Sequence, residues 1–218
     1  MKTNKASAIS HLLRSHYPGA RCSLVFTSPF QCLCAVLLSA QCTDEKVNRV
    51  TPDLFRSYPS PKELAEANPD EVEGKIRSLG LSHSKAIHLV AMAKQLQEKY
   101  GGAVPSDYEE LVQLPGVGNK TARVVLMECF HQPSFPVDTH VGRVSTRLGL
   151  AKEGLTPTEI EKVLERTFPK EEQALLHHCV ISFGREICHS RNPKCETCFL
   201  RDYCSFFSAK NTSFKTGK

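Results

Sequence analysis

Apolar residues recur three and four positions apart along most of the chain, the spacing of one buried face on an α-helix. The strict alternation of a half-buried strand is not found. "SPFQCLCAVLLSAQ" opens on Ser28, a residue type suited to capping, with Pro29 at the first helical position. "TDEKVNRVTPDLF" and "SHSKAIHLVAMAKQLQEKY" follow with the same period, and "GGAVPSDYEELVQL" leads into "TARVVLMECF". "VDTHVGRVSTRLGL" then starts on Asp138 as N-cap, before "TPTEIEKVLERTF" and "EEQALLHHCVISFGREIC". A cysteine-rich segment and a basic tail close the chain, without a low-complexity linker or internal repeat. The pattern predicts an all-α protein of roughly ten short helices, since helices near ~11 residues fill this length.

Composition narrows this picture. The 218 residues are 40% hydrophobic, enough for one or two domains with cores. No run of 18 apolar residues occurs, and "MKTNKASAISHLLRSHYPGA" lacks a signal-peptide core, so a soluble, intracellular (cytoplasmic) protein is expected. A net charge of +5 and a pI of about 8.7 are compatible with a polyanionic partner. Ten cysteines are many for a chain without an export signal, and in a reducing compartment clustered cysteines hold metal more often than they form disulfides. Cys22, Cys32, Cys34, Cys42, Cys129 and Cys179 are scattered and read as small core residues. The other four are packed into "CHSRNPKCETCFLRDYC", as Cys188-x6-Cys195-x2-Cys198-x5-Cys204. Four thiolates in so short a loop can close around one metal centre. Zinc is the generic alternative, although zinc ribbons show two C-x2-C pairs and this loop has one.

"LVQLPGVGNKTARVVL" carries Pro115, Gly116 and Gly118 between two apolar helices. Glycine permits a positive φ and close backbone approach, and the second helix opens with free N–H groups that suit a phosphate. An ordinary αα-hairpin with a glycine-rich turn would look the same. Lys120 stands at that helix opening, where a cation is mildly disfavoured. The setting, with partial desolvation, is expected to discourage its charged form and leave a nucleophilic amine. A solvated lysine covering its turn is the plain alternative. Asp138 follows eighteen residues later in "FPVDTHVGRV", at a helix start where a simple N-cap is the plain alternative.

Taken in order, L-P-G-V-G-x-K-T-A, P-V-D-T-H-V and the x6, x2, x5 cysteine loop resemble the endonuclease III family of DNA glycosylases, the helix–hairpin–helix, Gly/Pro-rich, aspartate superfamily. The resemblance runs from about residue 20 to Cys204. It implies Lys120 and Asp138 as catalytic residues and a [4Fe–4S] cluster on Cys188, Cys195, Cys198 and Cys204. "LLSAQCTD" resembles the family segment whose glutamine fills the gap left by an extruded nucleotide, matching Gln41. "SLGLSHSKA" resembles the loop that wedges an apolar side chain into the base stack, matching Leu81, which would otherwise read as a hydrophobic staple before a Ser82 N-cap. DNA contact is further implied for Leu114, Gly116, Gly118, Asn119, Thr121 and His140. The charges of Arg191, Lys194 and Arg201 on the cysteine loop suit DNA phosphates, and a solvated basic loop is an equally plain reading. Two departures are visible: Asn119 stands where relatives often have arginine or lysine, and Cys42 stands where they have a small alanine or threonine.

The family fold implies two lobes with a DNA cleft between them. Residues 22–132 would form a six-helix domain with the helix–hairpin–helix, and residues 1–21 together with 133–218 the cluster domain. The implied activity is a bifunctional glycosylase and abasic-site lyase of base excision repair. It would act, as a monomer, on double-stranded DNA carrying oxidised pyrimidines or abasic sites, with no membrane partner. A mismatch glycosylase without lyase activity, or a non-catalytic DNA-binding redox sensor, are the alternatives, and Lys120 with Asp138 speaks against both.

Overall fold

The computed structural model describes residues 2–209, and the basic tail beyond Ala209 lies outside the described residues. Among the described residues there are eleven α-helices and no strand. In chain order they are α1 (Lys2–His16), α2 (Pro29–Leu38), α3 (Asp44–Ser57), α4 (Pro61–Ala65), α5 (Pro69–Ile76), α6 (Ser82–Tyr100), α7 (Tyr108–Leu111), α8 (Asn119–Phe130), α9 (Thr139–Leu148), α10 (Pro157–Thr167) and α11 (Lys170–Glu186). Single turns of 3₁₀-helix follow at Cys195–Thr197 and Arg201–Tyr203. The chain divides into two compact units, residues 22–132 and residues 1–21 with 133–218.

In the first unit α2 is the central helix, with eight of its ten residues buried. Ser28 starts it by accepting a hydrogen bond from the Gln31 N–H at 3.2 Å, and Pro29 supplies a preset φ. Because α2 is apolar on every side, it must be covered all round, and α3, α6 and α8 pack on it. Each buried leucine here contributes about 2 kcal/mol by leaving water. The helices α4 and α5 lie against α6. Their five and eight residues are too short to show a period, but their caps are explicit. Ser60 and Glu63 form a capping box around α4, and Asn68 caps α5. The unit therefore holds seven helical segments rather than six, two of them under two turns long.

In the second unit α1 packs on α11 through Ile9 and Leu13. Glu172 of α11 accepts a hydrogen bond from the Ser10 hydroxyl at 2.7 Å and pairs with Arg14 at 3.2 Å. That partly exposed ion pair fixes register more than it stabilises, since such pairs give about 1 kcal/mol or less. α9 packs between α10 and α11. Of the scattered cysteines, Cys32, Cys34 and Cys179 are fully buried, while Cys22, Cys42 and Cys129 are half-buried. Burial pushes the Cys22 thiol up to about 12 and that of Cys179 to about 11, which keeps both protonated and inert.

Candidate functional site

The hairpin between α7 and α8 turns at Leu114–Val117, closed by the Val117 N–H on the Leu114 carbonyl at 3.0 Å. Pro115 at the second position and Gly116 at the third, with φ +77°, make this a type II turn. Gly116 is also irreplaceable on space. A Cβ there would lie 2.8 Å from the His88 Cβ and 3.0 Å from a Leu37 methyl. Leu114 and Val117 are buried in the core, so the side chain of Leu114 packs the hairpin and leaves only its main chain for a ligand. Gly118 does a different job. It is the N-cap of α8 in extended conformation, carries no capping side chain, and would have open space around a Cβ. The first N–H groups of α8 thus face outward without a side-chain acceptor.

Asn119 is half-buried, and its side-chain carbonyl accepts a hydrogen bond from the Tyr108 hydroxyl at 3.0 Å. The Arg123 guanidinium lies 4.8 Å above the Tyr108 ring. Asn119 therefore braces α7 against α8 through its side-chain carbonyl. Thr121 is half-buried. Lys120, second residue of α8, is exposed. The partial desolvation expected for it is not provided by this unit, because Val117 and Ala122 take the buried positions on either side.

Two other predicted residues of this unit share an unusual backbone. Gln41 has φ +57° and Leu81 φ +61°, both left-handed, and both side chains are exposed. For a residue with a Cβ that region costs roughly 1–2 kcal/mol. Leu81 is 58% exposed and occupies the N-cap position of α6 without a capping bond. Ser82 is consequently the first helical residue and not the cap; its hydroxyl donates instead to Glu73 at 3.0 Å. The structure supplies a third residue here that the sequence reading did not single out. Lys85 is buried, and its Nζ donates to the Sγ of Cys42, next to Gln41, at 3.1 Å.

In the second unit Asp138 caps α9. Its Oδ1 accepts from the N–H groups of His140 at 2.9 Å and Val141 at 2.8 Å, as its position in the sequence predicts. His140 is half-buried and lies 3.1 Å, through Nδ1, from an Arg143 nitrogen. Arginine can only donate, so Nδ1 is the acceptor of that contact. Burial holds the imidazole below its ordinary pKa, Asp138 opposes this, and Arg143 and Arg185 add to it. Arg143 continues to the Cys188 carbonyl and the Gly184 carbonyl, both at 3.0 Å. One turn on, Arg147 donates to the carbonyls of His189 at 2.6 Å and Ser190 at 3.0 Å. These two arginines, spaced i and i+4 behind Asp138, tie the capped helix to the cysteine loop. Their spacing is in the sequence, but nothing there indicates their acceptors.

Cys188, Cys195, Cys198 and Cys204 line one pocket, with Leu148, Phe183 and Ile187 among its walls. None of the four is in a disulfide. Arg147 places a guanidinium nitrogen 3.5 Å from the Cys188 sulfur. Four thiols converging on an apolar pocket, with a cation at its edge, fit a thiolate-ligated iron–sulfur cluster by donor number, softness and charge. Phe199, between the third and fourth cysteines, stacks on His16 of α1 with centroids 3.6 Å apart and meets Phe183 edge-on at 5.3 Å, which anchors the loop. Arg191 and Lys194 are exposed on this loop. Arg201 is committed to the Glu196 carbonyl at 3.2 Å and to Asp202 at 3.6 Å. Among the described residues no helix is long and apolar enough to cross a membrane.

Residues 34–170 match the model of the HhH-GPD superfamily of base excision DNA repair proteins, and residues 188–204 that of the iron–sulfur binding domain of endonuclease III. The endonuclease III of Bacillus subtilis is 46% identical over 188 residues, 86% of each chain. That of Escherichia coli K12 is 39% identical over 93% of this chain and 97% of its own. A solved trapped endonuclease III–DNA covalent intermediate, an estranged-adenine complex, superposes with a TM-score of 0.92 at 41% identity, covering 97% of this chain and 99% of that one. A thermostable thymine-DNA glycosylase shares the fold with a TM-score of 0.87 over 94% of this chain and 98% of that one, at 24% identity.

Proposed function

Since the chain belongs to the endonuclease III family, and is thus a base excision repair enzyme with an iron–sulfur binding domain, we propose that it is a bifunctional DNA glycosylase and abasic-site lyase. Its substrates are double-stranded DNA with oxidised or ring-saturated pyrimidines, and abasic sites. The observation that carries the proposal is the exposed Lys120 at the uncapped start of α8, on a hairpin whose N–H groups are open to a phosphate.

The chemistry needs the damaged nucleotide outside the duplex, which costs a few kcal/mol. Leu81 and Gln41 take the vacated space, a role supported by their exposure and left-handed backbone. The neutral Lys120 amine attacks C1′ and forms a C–N bond as the base leaves with the glycosidic electron pair. Asp138 stabilises the positive charge that develops on the sugar and assists proton transfer. Loss of the amine proton and opening of the sugar ring give a Schiff base. Removal of a C2′ proton then expels the 3′ phosphate by β-elimination, and hydrolysis of the imine frees Lys120. The strand is nicked 3′ to the lesion.

Cys188, Cys195, Cys198 and Cys204 would hold the [4Fe–4S] cluster, whose thiolate bonds would cross-link the loop that carries Arg191 and Lys194. No step above passes through it. The protein would work in the cytoplasm as a monomer.

Borohydride present during turnover tests the proposal, because it reduces a Schiff base to a stable amine. A covalent protein–DNA adduct that survives denaturation is expected. Lys120→Gln should abolish the adduct and lower strand cleavage by orders of magnitude, with DNA binding much less affected since most affinity comes from many phosphate contacts. A Lys120→Gln protein that still traps and nicks would show that another amine is the nucleophile.

A further inference from the structure

Gln41 and Leu81 hold backbone conformations that a side chain disfavours, and such strain persists only where the surroundings over-determine it. What fixes them is visible. The Leu81 loop is anchored on one flank to α5, where Glu73 takes the Ser82 hydroxyl at 3.0 Å and lies 2.8 Å from His83 Nδ1. On the other flank stands Lys85. Its N–H binds the Leu81 carbonyl at 3.0 Å, closing the first turn of α6. Side chains on a helix lean toward its N-terminus. The Lys85 Nζ leaves α6 to meet the Cys42 sulfur at 3.1 Å. Cys42 in turn donates its own N–H to the Ser39 carbonyl at 3.0 Å, closing the tight turn whose tip is Gln41.

Lys85 is 4% exposed. Burying an ammonium against a single weak sulfur acceptor is unfavourable, and an apolar side chain of the same length would fill the space at lower cost. Stability is therefore a poor reason for a lysine at this position. Direction is a better one, because one residue ties the two strained turns together, holding the Leu81 carbonyl through its backbone N–H and the Gln41 turn, at Cys42, through its side chain. We infer that Lys85 is a positioning residue that, through Cys42, locks Gln41 and Leu81 into a single rigid unit that enters the duplex together. This rests on the reading of Leu81 and Gln41 as the residues that replace the extruded nucleotide. Lys85 itself touches no reacting atom.

Lys85→Met keeps the volume and removes the donor, and Cys42→Ala removes the acceptor. Each should be assayed on a duplex with one 5,6-dihydrothymine and on the same duplex with a preformed abasic site, with 2-aminopurine beside the lesion to report extrusion. Lys85→Met should melt no lower than the parent protein. It should lose about ten-fold in single-turnover base removal and lose extrusion amplitude, with less than about two-fold change on the abasic site, whose nucleotide is already unstacked. Cys42→Ala should do the same, Cys42→Ser should retain most of the rate because it keeps an acceptor, and the double variant should be no worse than the poorer single one. Equal losses on both substrates, a lower melting temperature, unchanged base removal, or additive losses in the double variant would each overturn the inference. Leu81→Ala is the control. If it shows the selective loss and Lys85→Met does not, this inference fails alone; if it loses nothing on the paired lesion, the insertion reading fails and takes the inference with it.

Discussion

Asp138 is asked to do two things, and the structure allows them to be separated. As a cap, its Oδ1 accepts from the N–H groups of His140 and Val141 at 2.9 and 2.8 Å. As a proposed catalytic group it must present a negative charge to the sugar. Asp138→Asn keeps an amide oxygen where Oδ1 stands and loses the charge; Asp138→Ala loses both. The stability costs follow. Asparagine caps as well as aspartate, so Asp138→Asn sacrifices only the interaction of the charge with the helix N-terminus, about 0.3–1 kcal/mol. Asp138→Ala loses the capping bonds as well, about 1 kcal/mol more and up to about 2. In a chain of this length each 1 kcal/mol lowers the melting temperature by roughly 2–4 °C.

Activity should follow the other property. Removing one positioned electrostatic group from a developing charge typically costs about 10²–10³ in rate. Base removal should thus fall about equally in Asp138→Asn and Asp138→Ala, although their melting temperatures differ. Single-turnover assays on a lesion duplex, read with and without alkali, give base removal and nicking separately. Cleavage of a preformed abasic site should fall less, under about ten-fold, since no base has to be expelled. If base removal instead tracked the melting temperature, with Asp138→Asn close to the parent, Asp138 would be a helix cap and nothing more, and the charge stabilisation assigned to it would be wrong.

The two hairpin glycines should respond oppositely: Gly116→Ala, strained at φ +77° and 2.8 Å from the His88 Cβ, should destabilise the protein by about 1–3 kcal/mol. Gly118→Ala, with open space around it, should leave the melting temperature nearly unchanged yet weaken DNA binding where a phosphate must approach α8. Cys198→Ser should strip iron, with loss of the broad absorption near ~400 nm that thiolate-ligated iron–sulfur centres show, and destabilise the cysteine loop more than it alters Schiff-base trapping on residual folded protein. Elemental analysis finding zinc and no iron in the parent would refute the cluster assignment. For His140, whose pKa is held below its usual 6.5, mainly by burial, the fold prefers the neutral ring, so this contribution to stability is full above pH 6.5 and lost as pH falls below it. His140→Gln should flatten that part of the stability–pH curve, as checked by chemical denaturation between pH 7 and 5.

How much of this was legible in the sequence depended on whether the signal was local. The Ser28 and Asp138 caps are one-residue signals followed by a regular apolar period, and both formed as the sequence predicts. The span "SHSKAIHLVAMAKQLQEKY" coincides with α6 to the residue. α4 and α5 were readable from their caps, Ser60-Pro61-x-Glu63 and Asn68-Pro69, but not from a hydrophobic period, and a period-first reading passes over them. The left-handed backbone at Gln41 and Leu81 has no local signal at all, because neither is a glycine or an asparagine; contacts set it. The same holds for Lys85, whose acceptor lies forty-three residues away, and for Arg143 and Arg147, whose acceptors are carbonyls of the cysteine loop. Asn119, which stands where relatives often have arginine or lysine, accepts from Tyr108, a partner eleven residues away that the sequence does not indicate.

Lys120 remains the point where sequence reasoning and structure divide most usefully. Its unfavourable place at a helix start suggested a partly desolvated amine, and the structure shows an exposed one. The difference follows from the task. A nucleophile for a small molecule can wait in a closed pocket, but the atom proposed to react here arrives on an extruded nucleotide of a stiff duplex. An amine buried in the protein's own core could be reached only by opening the fold. An exposed amine on a rigid turn needs no opening. The rigidity then has to come from the turn rather than from burial of the lysine. The type II geometry at Pro115–Gly116, the packing of Leu114 and Val117, and the Tyr108–Asn119 brace supply it on the residues that precede Lys120.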